Sequence, residues 1–393
     1  MAVTSEVAGF TVGAAMAGVK GGSPNRLDVA LIVSDRTCAA AGVFTTNQVI
    51  AAPCVVTRRH LDQGRIRAIV INSGNANACT GEQGERDAFA MAKAAALRVG
   101  CDPYEVAVAS TGVIGVPLPV GRVASAVKEM KLESGAWPEV ARAIMTTDTR
   151  PKLLGTTVEL EAGAVHLRGV AKGAGMIHPN MATMLAFVVT DAEVEASALR
   201  HFVADTAERT FNAISVDGDT STNDTLLVLA NGASGVKPRG GEMARFADAL
   251  EGICETLARA IVADGEGVTR VFEVRVSGAV SDADAKRIAR TITSSNLVKT
   301  AIHGADPNWG RILAAAGRSG ASVDQTRATV RIADVVVFES GAPRSFEADA
   351  VRRVFSQSEI AIGVELGLGS GSARAWGSDL SAEYVRINAD YTT

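Results

Sequence analysis

The most constraining feature of this 393-residue chain is the segment Lys172–Thr190, which reads KGAGMIHPNMATMLAFVVT. It opens with a lysine and two glycines, and a proline then interrupts regular structure. From Thr183 onward the residues are mostly apolar and favour a strand. A glycine-rich loop that leads directly into a buried strand can hold one polar side chain, here that of Thr183, at a fixed position. An ordinary strand threonine at the edge of the core explains the same pattern.

Length and composition indicate a globular protein of two or three domains. The formal net charge of −4 argues against a nucleic-acid-binding protein. No apolar run is long enough to span a bilayer, and we find no secretion signal. The five cysteines form no CxxC pair, and the five histidines lack metal-ligand spacing. We therefore expect a cytoplasmic protein that binds no metal, membrane or nucleic acid.

Apolar periodicity predicts a core domain over residues 1–270. We expect one helix that ends at Gly100, one capped by Ser197 and a long one that ends at Ala263. The predicted strands are Leu27–Val33, Ala68–Ile71, Val106–Ser110, Thr225–Leu229 and a hairpin over Thr156–Val170.

The pattern restarts near Val271 and predicts a smaller α+β domain over residues 271–393. The terminal segment contains a strand-like run, Tyr384–Ile387, ahead of the chain end. The other predicted elements are strands at Phe272–Val276, Val330–Phe338 and Ile360–Leu366, with helices near Asp282–Thr293 and Phe346–Phe355.

Several polar segments could carry chemistry, although each also has an ordinary structural explanation. Thr111 and Gly112 leave a strand, and such a pair can direct a hydroxyl and a backbone N–H at one point, as an oxyanion hole requires. Glu266 lies between two glycines at a helix end, where the glycines are explained by the helix-terminating turn but the glutamate is not. The polar run Phe211–Asp224 lacks calcium-loop spacing and is predicted to line a site.

These segments together resemble the ornithine acetyltransferase family, also called glutamate N-acetyltransferases, of arginine biosynthesis. The resemblance covers nearly the whole chain and is most specific at the Met-Ala-Thr-Met-Leu segment around Thr183. It implies that the chain cuts itself between Ala182 and Thr183, into an α chain of residues 1–182 and a β chain of residues 183–393. The implied fold is α+β, a layered αββα sandwich of the N-terminal-nucleophile type with a smaller α+β C-terminal domain.

The resemblance also assigns roles to individual residues. Thr183 is implied to be the nucleophile, with Thr111 and Gly112 as the oxyanion hole. The implied partners are N-acetylornithine and glutamate, in a heterotetramer of two α and two β chains. No cofactor is implied, and acetyl-CoA stays open as a second donor. The implied substrate contacts are Thr149, Lys172, Thr183, Glu266, Asn388 and Thr393, the last two on a tail that folds back onto the site.

Chemically, a cut before Thr183 would free an α-amine with an ordinary pKa of about 7.7–8.0, which can deprotonate the threonine's own hydroxyl. Three interpretations stay open on the residues. The first is the acetyltransferase, and the second is a self-cleaving aminopeptidase or amidase that uses water as acceptor. The third is a binding protein in which the segment Lys172–Gly175 cradles an anion and no cleavage occurs.

Overall fold

The computed structural model describes residues 6–21, 25–178, 184–355, 357 and 359–390. In these ranges two β-sheets form the framework. The first sheet has the strand order β4-β3-β2-β9-β7-β6-β5, with β1 also paired to β2. Its strands are β1 (Phe10–Ala15), β2 (Val29–Phe44), β3 (Arg65–Asn75), β4 (Val106–Val113), β5 (Lys152–Leu160), β6 (Gly163–Lys172), β7 (Leu185–Thr190) and β9 (Thr225–Ala230), where β8 belongs to the other sheet.

The second sheet has the order β13-β12-β11-β14-β10-β15-β8. Its strands are β8 (Ile214–Ser215), β10 (Val271–Ala279), β11 (Thr329–Ile332), β12 (Val335–Glu339), β13 (Ala342–Pro343), β14 (Glu359–Glu365) and β15 (Gly371–Ser378). All but β8 lie beyond residue 270, so β8 is the strand that joins this sheet to the preceding part of the chain. The division at residue 270 stays a prediction.

Helices cover the sheets, and the expected α+β class with its layered αββα arrangement is confirmed. None of the helices described is both long and apolar enough to cross a membrane. The helices are α1 (Ala52–Leu61), α2 (Gly81–Val99), α3 (Val120–Glu129), α4 (Trp137–Ala143), α5 (Ala196–Arg209), α6 (Glu242–Ala263), α7 (Asp282–Thr293), α8 (Asn296–His303), α9 (Trp309–Gly317), α10 (Ala348–Phe355) and α11 (Ala382–Asp390).

Strand β7 is central to the first sheet, and all six of its residues are buried. It pairs antiparallel with β6 and parallel with β9. Because side chains alternate across a sheet, Ala186 and Val188 pack into a core formed with α5 and α6, whereas Phe187 and Val189 pack into a core formed with α4. A strand covered on both faces explains the unbroken apolar run in the sequence.

Four sequence predictions are corrected by the structure. The run Val330–Phe338 is the two strands β11 and β12, because Ala333 adopts a positive φ of 48° and reverses the chain. Tyr384–Ile387 lies in helix α11, where Val385 is 64% exposed, so the alternation there reflects no buried strand. Ser197 lies inside α5, which begins after Glu195 without a side-chain cap. Thr111 and Gly112 lie within β4, since the strand continues to Val113.

We expect Phe187→Ala to destabilise the protein by about 3–5 kcal/mol, because it opens a cavity in a core from which Phe187 is fully excluded from solvent. Urea unfolding measures this, in a Thr183→Ala background so that one uncut chain is compared throughout. Leu97→Ala, at an 87% exposed position on α2, is the control and should change little. Equal effects of the two substitutions would contradict the central place of β7.

Candidate active site

A cavity of about 120 Å³ lies at the end of the first sheet where β6 finishes and β9 begins. Strand pairing sets this place, because Lys172 is opposite Leu185 on β7, and Leu185 is opposite Thr225 on β9. Larger hollows exist on the surface, and one of about 730 Å³ is lined by none of the predicted site residues that the structure describes. The described residues that line the cavity are Thr111, Gly112, Ile114, Thr146, Thr147, Lys172, Gly175, Met176, Ser221, Thr222, Asn223, Glu266 and Asn388.

The structure thus brings five predicted residues to one cavity, from separate parts of the chain: Thr111, Gly112, Lys172, Glu266 and Asn388. Ala182, Thr183 and Thr393 lie outside the described residues. Met184, which directly follows Thr183 and is described, is held by hydrogen bonds at both its N–H and its carbonyl group. Its N–H donates to Asp224 Oδ1 at 2.8 Å, and its carbonyl accepts the N–H of Thr225 at 3.1 Å.

Gly112 is held where no other residue fits. Its φ of 135° lies in the region that favours glycine. A Cβ at this position would be 2.3 Å from the carbonyl carbon of Gly74 and 2.4 Å from the nitrogen of Asn75, both on the neighbouring strand β3. Close backbone packing of β3 against β4 therefore positions the Thr111–Gly112 pair at the cavity.

Lys172 acts on this pair through a hydrogen bond. Its Nζ donates to Thr111 Oγ1 at 3.2 Å, and its side chain is buried. Because the oxygen of Thr111 accepts this bond, the hydroxyl hydrogen is available to donate elsewhere. A hydroxyl polarised by an ammonium group is a suitable donor to an oxyanion.

Two aspartates and a second lysine keep Lys172 in a buried ionic network. Asp148 Oδ1 accepts from Lys152 Nζ and from the N–H of Gly173, both at 2.7 Å. Lys152 Nζ also donates to Asp264 Oδ2 at 2.6 Å. Burial raises the pKa of Asp148, but the charges of Lys172 and Lys152 outweigh it and hold the pKa at about 2. Burial lowers the pKa of Lys172, and the charge of Asp148 opposes that effect.

Thr149 is placed differently from the other predicted contacts. It is exposed, does not line the cavity, and donates from its hydroxyl and its N–H to Asp264. Thr146 and Thr147, from the same turn, line the cavity instead. The sequence places three threonines close together before Pro151, and their spacing does not show which of them faces the cavity.

The glycine-rich loop is anchored at several points. Asp217 accepts the N–H groups of Met176 and Ile177, the latter at 2.8 Å. The N–H of Glu266 donates to Ala174 at 3.0 Å. A Cβ on Gly175 would be 2.6 Å from the carboxylate of Glu266, so this glycine allows the carboxylate to lie against the loop.

The C-terminal helix reaches the same carboxylate. Ser381 Oγ donates to the carbonyl of Gly267 at 2.6 Å and fixes the start of α11 beside Glu266. Further along α11, Asn388 Nδ2 donates to Glu266 Oε2 at 2.8 Å. The tail therefore contributes a side chain to the cavity wall.

Comparison with known proteins decides the family, since the ArgJ family profile matches residues 11–393. The chain belongs to the ArgJ family. It is 49% identical over 393 residues to the arginine biosynthesis bifunctional protein ArgJ of Symbiobacterium thermophilum, covering 98% of this chain and 97% of that protein. It is 50% identical over 390 residues to the protein of the same name from Deinococcus radiodurans, covering 98% and 97%.

A solved structure agrees. The crystal structure of the arginine biosynthesis bifunctional protein from Bacillus halodurans is 43% identical to this chain, with a TM-score of 0.52. That solved chain is matched over its full length and covers 53% of the present one.

Sequence reasoning missed part of what holds the ArgJ site together. Asp148 stands in a polar turn and Lys152 was not identified at all, and both meet Asp264 only in the folded protein. Asp224 was expected in a polar loop lining the site, and Ser221–Asn223 of that loop do line the cavity.

We expect Asp148→Asn to lower stability by about 3–5 kcal/mol near neutral pH, because it removes one partner of a buried charge network. The folded pKa of Asp148 is depressed from 3.8 to about 2, so its contribution is present above pH 3.8 and is lost as pH falls to about 2. The stability gap between wild type and variant should therefore shrink over that window in urea unfolding. Asp248→Asn, exposed on α6, is the control. A gap that is constant with pH would contradict the assigned ionised state.

Proposed function

We propose that this enzyme moves the acetyl group of N2-acetyl-L-ornithine to L-glutamate, giving L-ornithine and N-acetyl-L-glutamate. The observation that carries the proposal is the cavity itself, because it gathers the residues that the family resemblance assigns to this reaction. Membership of a family of arginine biosynthesis proteins, over nearly the whole chain, favours a transferase over an amidase or a simple binding protein.

The first step is self-cleavage. The hydroxyl of Thr183 attacks the carbonyl carbon of Ala182 and displaces the Thr183 nitrogen, which becomes a free α-amine. Water then opens the resulting ester, which releases the carboxylate of Ala182 and restores the Thr183 hydroxyl. Thr111 and Gly112 stabilise the oxyanion that forms on the attacked carbonyl. The solved Bacillus halodurans chain is consistent with a cut of this kind, since it covers 53% of this chain, and residues 183–393 are 211 of 393, about 54%.

The same groups then carry acetyl transfer. The freed amine deprotonates the Thr183 hydroxyl, which takes the acetyl group from N-acetylornithine as an ester and passes it to the amine of glutamate. This is a ping-pong cycle in which the oxyanion hole is used at each half-reaction. No metal or other cofactor is required.

Substrate charges are met at two sides of the cavity. Glu266, with Asn388 bound to it, offers a carboxylate to the side-chain ammonium of ornithine. Lys172 offers a cation to the α-carboxylate that both amino acids carry. We propose that Thr149 acts on the site through Asp264, and that Thr146 and Thr147 present hydroxyls to the substrate. Thr393 stays a proposed substrate contact, as the resemblance implies.

The wider setting is also proposed. We propose acetyl-CoA as a second acetyl donor, since the matched relatives are named bifunctional. The resemblance supports a heterotetramer of two α and two β chains. The five cysteines are free, which suits the reducing cytoplasm that we propose as the location.

Wild-type protein should run on a denaturing gel as two pieces, residues 1–182 and 183–393, with Thr183 as the N-terminus of the second by Edman sequencing. Thr183→Ala should remain one chain and be inactive, because it lacks both the hydroxyl and the freed amine. Thr183→Ser, the matched control, keeps a hydroxyl and should cleave and retain some activity. An active, uncut Thr183→Ala protein would rule out the proposed mechanism.

Glu266→Gln should lower kcat/KM for N-acetylornithine by about 10- to 100-fold, the loss expected for a charge-assisted hydrogen bond. Formation of acetylglutamate from acetyl-CoA and glutamate should not fall, because neither substrate carries the ornithine ammonium. The two assays on one preparation therefore control each other, and self-cleavage should be normal. Equal losses in both assays, or failure to cleave, would place Glu266 in the processing or structural machinery.

A further inference from the structure

Asp224 is a fully buried carboxyl group at the start of β9, and the mechanism above does not use it. Its Oδ1 accepts the N–H of Met184 at 2.8 Å. Its Oδ2 is buried and has no hydrogen-bond partner among the described residues. A buried polar atom without a partner is costly and rare in native proteins, so this oxygen requires an explanation.

The other acidic groups around the cavity are engaged differently. Asp148 and Asp264 accept from Lys152, and Glu266 accepts from Asn388. Asp217 accepts backbone N–H groups of the glycine-rich loop. Asp224 therefore differs in having one oxygen bound to the backbone, while the other has no hydrogen-bond partner in the part of the chain that the structure describes.

The environment of Asp224 favours its neutral form. Burial raises its pKa well above the ordinary value, against the opposing effects of the Met184 N–H, the Thr45 hydroxyl and the Lys172 charge. Burial also raises the pKa of the neighbouring Cys54 thiol to about 12, so that group stays neutral. Lys172 gives its hydrogen bond to Thr111 rather than to this carboxyl.

The chain itself connects Asp224 to the proposed reaction. Asp224 Oδ1 accepts the N–H of Met184 at 2.8 Å, and Met184 is the residue that directly follows Thr183 in the sequence. The carboxyl group is therefore bound to the backbone immediately after the proposed nucleophile.

We propose that Asp224 is the proton donor to the Thr183 nitrogen during self-cleavage, and that it holds the resulting α-amine in the mature enzyme. The inference rests on the self-cleavage proposed above. It assigns to Asp224 the role of general acid in this cleavage, because an amide nitrogen leaves only when it gains a proton.

The step balances without another reactant. A bond forms between Thr183 Oγ and the carbonyl carbon of Ala182, and the bond from that carbon to the Thr183 nitrogen breaks. Asp224 gives its carboxyl proton to the departing nitrogen, and the carboxylate so formed takes up the proton that Oγ releases. Asp224 ends neutral, one proton has moved from oxygen to nitrogen, and water opens the ester in the following step.

The test measures cleavage in freshly synthesised chains, by pulse labelling in a cell-free system and quenching on a denaturing gel. Asp224→Asn keeps the size of the side chain and an oxygen that accepts the Met184 N–H, but it has no acidic proton. We expect its cleavage to be slowed by a hundredfold or more, roughly the contribution of a general acid. The matched control is Asp191→Asn, a buried aspartate just beyond the far end of β7, which should cleave at the wild-type rate.

The pH profile distinguishes acid chemistry from a structural effect. Because the protonated carboxyl is the active form, the wild-type cleavage rate should decline as pH rises through the folded pKa of Asp224. This decline should be absent in Asp224→Asn, in which Lys172 and Cys54 still titrate. If Asp224 were only structural, its substitution would change the amount of folded protein, measured by circular dichroism. The decline of the cleavage rate at high pH would then remain.

The outcomes separate this inference from the one it rests on. If wild-type chains remain uncleaved, the proposed self-cleavage and the proposed role of Asp224 are both contradicted. If wild-type chains cleave and Asp224→Asn cleaves at the same rate with the same pH profile, only the role of Asp224 is overturned. Should the variant not fold, the wild-type profile alone decides, because a cleavage rate that never declines at high pH contradicts the proposal.

Discussion

The burial and pairing of strand β7 is the constraint on which the rest of the site depends. Its neighbours are fixed in register, with Lys172 and Thr225 on either side of Leu185. A shift of one residue would turn every β7 side chain to the opposite core, which the apolar residues on both faces prevent. The cation of Lys172, the carboxyl of Asp224 and the backbone of Met184 are thereby held at one end of the sheet.

The electrostatics of that end follow from burial. Lys172 and Lys152 are buried together with Asp148 and Asp264, so the two positive charges and the two negative charges compensate one another. Asp224 accepts the N–H of Met184, and burial raises its pKa well above the ordinary value. A single site therefore holds the cation of Lys172, which donates to Thr111, and a buried carboxyl group that accepts the N–H of Met184. These are the groups for which we propose the oxyanion and proton-donor roles.

Much of the framework could be predicted from sequence, because strong periodicity reports burial directly. The helix Asp282–Thr293 has the predicted bounds, and the hairpin of β5 and β6 is where alternation placed it. The predictions were wrong where the local pattern was ambiguous, as in the β11–β12 hairpin and in α11, which is held by a contact with Gly267.

The residues of the site could likewise be predicted only where the local sequence gave a clear signal. Glu266 was identified because the helix-terminating turn explains the glycines beside it but not the glutamate, and because the resemblance gives it a substrate contact. Asp148 and Lys152 gave no local signal, since their pairing depends on Asp264 far along the chain. Thr146 and Thr147 could not be separated from Thr149 by spacing alone, because orientation within a turn depends on what it packs against.

The most direct test of the account is where the acetyl group rests between the two half-reactions. Wild-type protein is incubated with N-acetylornithine in the absence of glutamate, and the intact mass of each fragment is measured after denaturation. The account predicts one added acetyl group on the fragment 183–393 and none on 1–182, with the added mass lost when glutamate is supplied. Acetyl transfer to glutamate with no acetylated fragment, or with the acetyl group on fragment 1–182, would contradict it.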